Sequence, residues 1–462
     1  MRTHSLGQFQ LSALTVFCMA VGISVASGQD GSVESDIAGD EEVRADVDYV
    51  TFERPEPIIE GIDYDRRVGD SDGSSGDGYD RLSRDILDYQ ENVDLLEAEQ
   101  GPWHQALTQE LTAMGSLYMR QGAYLEAIDV FDRAMHISRV NHGLDNQQQI
   151  PVVENLINSH IAAGQWDMAD KFQSYLFYTQ KNAFGAADPR MIPVLERLGT
   201  WNLRMFNMRF GEAVGLRLTD AYRLFVAASD ITSRHFGHDD ERVITYLQGA
   251  ADTAYLIATN YDLVEIARQP EFRTVERWLQ DELGEIEPIS VEGYREGLEA
   301  LQNVVELLAD REEKREEYFR AQVAVADWYL LFNRNRAATR YYEEAFQFAQ
   351  GLEGGAELIR EAFADVTPLP VVSSTINAAQ ELYITDVAAK SSGRFGVAEI
   401  EFDVTAFGTA NKITVLTEET KANSSVLALL RRQVRETVYR PRVVDGKPVK
   451  SESVKFRYRY RY

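Results

Sequence analysis

The stretch LTAMGSLYMRQGAYLEAIDVFDRA, residues 111–134, decides the fold. Leu111, Gly115, Tyr118, Gly122, Tyr124, Ala127, Phe131 and Ala134 recur at close to helical spacing on either side of Gly122. That period predicts two amphipathic helices, and a glycine between them marks the end of the first. Small residues on the facing sides let antiparallel helices approach closely, and the aromatic rings fill the space left over.

The pattern returns along the chain. Val153, Leu156, Gly164, Trp166 and Ala169 form a second unit, and Ala326, Tyr329, Ala338, Tyr342 and Ala345 a late one. The connections repeat too: Gly143-Leu144-Asp145, Phe184-Gly185 with Asp188, and Phe236-Gly237-His238-Asp239 each precede a new apolar period. Each glycine suits a left-handed helix end and each aspartate a helix start. Gly143 and Gly185 are 42 residues apart and Gly185 and Gly237 are 52 apart, so the third unit holds a longer second helix or an insertion between Arg204 and Ile231. The eight positions resemble the tetratricopeptide repeat, and the long interval with Gly-x-x-Asp connections is similar to its kinesin-light-chain variety. The resemblance implies an α-solenoid over 81–351, with a concave face lined by the first helix of each pair. Gln109, Thr112, Ser116, Arg120, Glu154 and Asn158 would lie there as partner-binding residues.

Towards the C-terminus of the solenoid, Val291 to Arg320 reads as one long charged helix whose run Asp310 to Glu317 faces solvent. Pro368 and Pro370 mark a linker over 352–377.

Ahead of the helices, Arg2 and His4 precede an apolar run from Leu11 to Ala26, with Ala26 and Gly28 at signal-peptidase spacing. Residues 1–28 read as a secretory signal, with an uncleaved membrane anchor as the other reading. The only cysteine, Cys18, falls inside this segment, so the mature chain would carry no thiol. Residues 29–80 hold seventeen acidic residues against four arginines and few large apolar groups. Such a segment buries too little surface to offset its ordering entropy, and a disordered acidic arm is expected. Within it Asp70-Ser71-Asp72-Gly73 begins like a calcium loop, but Ser75 and Arg81 stand where the loop needs its glycine and its glutamate. The whole chain carries a net charge of −27, which argues against nucleic acid as a partner.

The last segment changes period. Ala398, Ile400, Phe402 and Val404 alternate with Glu399, Glu401 and Asp403, and Ile413 to Leu416 return as a second strand. Val426, Leu427, Leu430, Val434 and Val438 then give an amphipathic helix that runs to Pro441. A final strand sets Val454, Phe456, Tyr458, Tyr460 and Tyr462 against Lys455, Arg457, Arg459 and Arg461. If the last strand returns beside the first, the order is second, first, last, and acidic and basic faces meet. The last strand is then an edge.

Arg440-Pro441 after the helix and Asp445-Gly446-Lys447-Pro448 before the last strand resemble, position by position, the C-terminal domain of TonB-family energy transducers. The resemblance covers 378–462 and implies a small α/β unit, a split β-α-β with a three-stranded antiparallel sheet. It also implies a periplasmic address and an edge strand that captures an extended peptide, such as a segment of an outer-membrane protein, through Lys455, Arg457, Arg459 and Arg461. A homodimer through the last strand is the other use of that edge.

Chemistry is sparse. Of seven histidines only His235 and His238 are close, beside Asp239 and Asp240, and they belong to a repeat connection. Trp201, Met205, Phe206, Met208 and Phe210 read as core at helical spacing. Phosphate loops, nucleophile elbows and zinc-helix motifs are missing. The sequence therefore reads as a multidomain, non-catalytic interaction scaffold of the periplasm that binds other envelope proteins, with no metal and no cofactor. The alternative is a membrane-anchored TonB-like energy transducer for outer-membrane transport.

Overall fold

A computed structural model describes residues 51–52, 56–57, 76–211, 213–267, 291–370, 395–417 and 424–461. The expected signal segment, the calcium-like run at 70–73 and most of the acidic arm lie outside them.

Helices make up most of the described residues from Gly76 to Gln350. They are α1 (Gly76–Gln100), α2 (Leu107–Gln121), α3 (Tyr124–His142), α4 (Ile150–Ala162), α5 (Trp166–Phe184), α6 (Ile192–Asn207), α7 (Val214–Phe236), α8 (Glu241–Thr259), α9 (Tyr261–Ala267), α10 (Tyr294–Ala309), α11 (Arg315–Leu331) and α12 (Asn335–Gln350). Each long helix packs chiefly on its neighbours in the chain, which is the layout of a solenoid of helical hairpins. Gly115 shows why the small residues matter: a Cβ there would lie 2.6 Å from the Phe131 ring. Gly199 faces Phe225 in the same way, at 3.0 Å.

The connections are built alike. Gly143, Gly185 and Gly237 have φ of 86°, 94° and 96° with extended ψ, a backbone region that side chains exclude and not the left-handed cap the sequence suggests. The next helix opens on a side chain, but the residue differs from the expected one in two of three cases. Asn146, not Asp145, accepts from the Gln149 N–H; Asp188 accepts from Arg190; Asp240, not Asp239, accepts from Arg242. Arg190 and Arg242 also lie over Phe184 and Phe236, at 4.3 and 4.2 Å from the ring centres. The longer third interval is now explained. Relative to α4 and α5, helix α6 is three residues longer, α7 four longer, and the joint at 208–213 three longer than that at 163–165.

Two expectations change here. The single charged helix over 291–320 is two, broken at Asp310 and a short turn over Glu312–Lys314. Val304 and Leu308 of α10 fold against Ala321 of α11, and apolar burial fixes that turn without any glycine or proline. Residues 352–370, expected as linker, hold helix α13 (Gly355–Phe363) and strand β3 (Thr367–Pro368).

Strands β1 (Thr51–Phe52) and β2 (Glu56–Pro57) precede the solenoid in sequence. The terminal unit holds β4 (Phe395–Val404), β5 (Ala410–Val415), helix α14 (Ser424–Glu436), β6 (Tyr439–Arg440), β7 (Arg442–Val444), β8 (Lys447–Val449) and β9 (Ser451–Arg461). Its core joins Ile400, Phe402, Phe456 and Tyr458 to Val426, Leu430 and Val434 of the helix. The helix stops at Glu436, short of Pro441, because Tyr439 and Arg440 extend to pair with β3. The sheet runs β1-β9-β4-β5, with β2 also on β9. It therefore holds five strands where the sequence predicts three.

Candidate functional site

The solenoid has two helix layers, and polar contacts define them. Glu154 of α4 meets Arg197 of α6 at 2.6 Å, and Tyr246 of α8 donates to Glu196 of α6 at 3.1 Å, so first helices lie beside first helices. Asp170 of α5 meets Arg217 of α7 at 2.7 Å in the second layer. Of the residues expected on the first layer, Gln109, Arg120 and Asn158 are exposed. Thr112 and Ser116 are half-buried and donate to the Thr108 and Thr112 carbonyls of their own helix at 2.6 and 2.8 Å. Glu154 is engaged by Arg197.

Trp201, Met205 and Phe206 are core, with Met208 and Phe210 packed against it. Sequence reasoning missed the charged residue among them. Arg204 is buried, lies 4.7 Å from the Trp166 ring and 5.7 Å from Trp201, and burial pushes its pKa down to about 10. Nothing in its spacing distinguishes it from a surface arginine.

A cleft of about 890 Å³ opens between α7, α8 and α10, lined by Asp230, Asp239, Glu241, Glu306, Asp310 and Glu313 together with Arg311 and Lys314. Arg311 meets Asp239 at 3.5 Å and Lys314 meets Glu241 across it. The two histidines near this cleft do not converge. His238 Nδ1 lies 2.6 Å from Ser233 Oγ, whereas His235 Nε2 lies 2.9 Å from the Ala187 carbonyl of the preceding connection. Among the described residues no group of three His, Cys, Asp or Glu side chains could hold a metal ion.

In the terminal sheet Glu399 stands opposite Arg457 and Glu401 opposite Lys455, and Lys455 Nζ is 3.9 Å from Glu401. Arg459 is exposed opposite Val397, and the side chain of Arg461 lies outside the described residues. The edge expected to be open is taken. Thr51 pairs with Arg461, Phe52 with Tyr460, Glu56 with Arg457 and Pro57 with Phe456, all antiparallel, so β9 lies between β4 and the chain's own arm. A strand pair two residues long carries no periodicity, and the sequence gives no sign of it.

Arg440, Pro441 and the turn at Asp445-Gly446 dock the sheet onto the solenoid. Asp445 and Gly446, with φ of 50° and 78°, form the two-residue turn between β7 and β8, which Lys447 and Pro448 begin. That turn abuts Glu343 and Phe346 of α12. Pro441 is buried, and the Arg440 guanidinium is buried against α11. Its Nε donates to Asp327 Oδ1 at 2.8 Å, its Nη2 to Asp327 Oδ2, and its Nη1 to the Ala362 carbonyl at 3.1 Å. Tyr342 Oη donates to the same carboxylate at 2.6 Å. Burial, and then the Asp327 charge, push the Tyr342 hydroxyl well above its ordinary pKa.

No family model and no curated protein matches this chain. Among solved structures it is similar to two crystal structures of nearly identical TPR-like repeats of kinesin-light-chain type from Podosopora anserina. One is 11% identical over 44% of this chain and 91% of that one, and the other 12% over 60% and 96%, each with a TM-score of 0.32. It is also similar to BtubC (BKLC) from P. vanneervenii, at 13% identity over 66% and 97% with a TM-score of 0.32.

Proposed function

We propose that this chain is a non-catalytic interaction scaffold of the cell envelope, exported through its N-terminal apolar segment, whose solenoid holds one protein while the terminal sheet meets another. The observation that carries the reading is the continuous layer of first helices, tied α4 to α6 to α8 by Glu154–Arg197 and Tyr246–Glu196. A layer of this kind offers a long surface whose side chains come from many repeats, which suits an extended or helical segment of a partner. Arg120 and Asn158 are exposed on it.

Photocrosslinking residues placed at 120 and 158, with one at the exposed second-helix position Ser174 as control, test this in the periplasm of the producing cell. Discrete adducts from 120 and 158 and none from 174 are expected. Equal labelling from all three positions would remove the first-helix layer as the binding face.

A further inference from the structure

We propose that the cleft between α7, α8 and α10 is a docking site for a basic amphipathic helix of a partner protein, on a surface separate from the first-helix layer. Helices α7 and α10 both pack on α8. At the C-terminal end of α8 the packing is closed: Gly215 of α7 lies against the Leu263 carbonyl of α9, and Gly293, just ahead of α10, lies against Ala254 and Ala258. At the N-terminal end of α8 the last turns of α7 and α10 stand apart, and the space between them is the cleft of about 890 Å³. That is room for several side chains of a partner.

The lining has two parts. Val226, Val243, Leu247 and Leu307 form an apolar floor, with Val226 40% exposed. Six carboxylates stand around it, and three of them lack a cation. Arg311 and Lys314 are used by Asp239 and Glu241, and Asp230 holds Arg234 of its own helix at 3.0 Å. Among the described residues Glu306, Asp310 and Glu313 make no ion pair. Glu306 and Asp310 lie one turn apart on α10, a spacing at which like charges destabilise a helix. A cation from outside would relieve that repulsion. Ser229 is an independent sign of a missing partner. It is 8% exposed and lines the cleft, yet its hydroxyl makes no hydrogen bond among the described residues. Thr232, three residues on, does donate, to the Ala228 carbonyl at 2.7 Å. A buried residue whose hydroxyl is left over in this way calls for a polar atom from a ligand.

Apolar floor and acidic rim together define the occupant. It is a helix with an apolar stripe at i, i+3, i+4 and i+7, flanked on both sides by lysine or arginine whose stems cover the edges of the floor while their heads reach the carboxylates. A second copy of this chain, with a net charge of −27, would be repelled by such a rim.

The probe is a fluorescent helical peptide of leucine and lysine with leucines at that spacing, titrated into the full chain and followed by anisotropy. Asp230→Asn/Glu306→Gln/Asp310→Asn, all at exposed positions, should weaken binding at least about 5-fold, the size expected for three partly exposed ion pairs. Asp88→Asn/Glu91→Gln/Glu99→Gln removes the same charge from exposed positions of α1 and should leave binding unchanged. Equal weakening by both triple variants would mean attraction by net charge alone and overturns the proposal. So does equal affinity for a peptide of the same composition with its leucines scattered. Val226→Arg sets a guanidinium on the floor and should abolish binding while circular dichroism stays that of the parent chain; full binding to this variant places the peptide elsewhere. Sedimentation tests the other occupant: a parent dimer that Val226→Arg dissociates would put a second copy in the cleft and overturn the basic partner. If the peptide fails to bind the parent chain while positions 120 and 158 still crosslink a partner, this inference falls and the scaffold reading stands.

Discussion

Arg440 and Asp327, 113 positions apart in sequence, form a bidentate ion pair at the junction of the terminal sheet and the last solenoid hairpin, with side chains only 10% and 8% exposed. A terminal unit that swings freely would leave both groups in water. Here Val443 joins the cluster of Tyr342, Phe346 and Phe363, and a Cβ on Gly408 would lie 3.2 Å from the Leu330 side chain of α11. The sheet therefore packs as an end piece on the last solenoid hairpin.

Removing one partner of this pair should cost much more than removing both. Asp327→Ala leaves a buried guanidinium with only neutral partners, the Ala362 carbonyl and the Tyr342 hydroxyl, and an uncompensated charge of this type costs about 3–5 kcal/mol. Arg440→Met combined with Asp327→Leu replaces the pair by apolar volume and should recover most of that loss. Urea unfolding followed by fluorescence of Trp328, in the same helix as Asp327, measures the cycle. Additive losses would show that the pair does not couple.

Gly115→Ala tests the hairpin packing. Alanine favours a helix interior by about 1 kcal/mol over glycine, but a Cβ 2.6 Å from the Phe131 ring forces the helices apart, and overpacking costs about 1–3 kcal/mol. A lowered melting temperature is expected. Adding Phe131→Leu, which withdraws the ring, should narrow the difference between glycine and alanine at 115, and an unchanged difference would locate the strain elsewhere.

The hairpins were legible because their signals are local. Gly115 and Phe131 sit within one repeat, and the alternation from Ala398 to Val404 states its own buried face. Features that depend on distant partners were not. Arg440 stood out as part of a motif, yet nothing marks Asp327, one aspartate of a charged helix, as its partner. The turn at 310–314 was hidden inside a charge run, since packing of Leu308 on Ala321 and not a breaker residue makes it. The first-helix layer was only half readable. Glu154 lies on it as expected from the sequence but spends its charge on Arg197.

The turn at Asp445-Gly446 should tolerate one substitution and reject another. Both residues have positive φ, which asparagine accepts nearly as readily as aspartate and alanine does not. Asp445→Asn should leave the melting temperature unchanged, whereas Gly446→Ala should cost about 1–2 kcal/mol, the penalty for a left-handed residue with a Cβ. A Cβ at 446 would also lie 3.4 Å from the Glu343 backbone, so the loss should include loosened docking, seen as faster proteolysis between solenoid and sheet.

Acid should loosen the terminal sheet through Asp403. This carboxyl sits at the bulge of β4, accepts from the Ser453 N–H at 3.0 Å, and meets Lys412 at 2.9 Å and Lys450 at 3.4 Å. The hydrogen bond from Lys412, then the Ser453 amide, hold its pKa at about 2 against an ordinary 3.8. Because the folded value is the lower one, the carboxylate stabilises fully above about pH 4 and its contribution is lost as pH falls from 3.8 through about 2. Lys450 moves the other way and stays charged throughout this window. Asp403→Asn should therefore melt below the parent chain at pH 6, with the two curves converging as pH approaches 2. A gap that persists at pH 2 would mean that the asparagine disturbs the bulge by shape, and that the charge on Asp403 does not hold it.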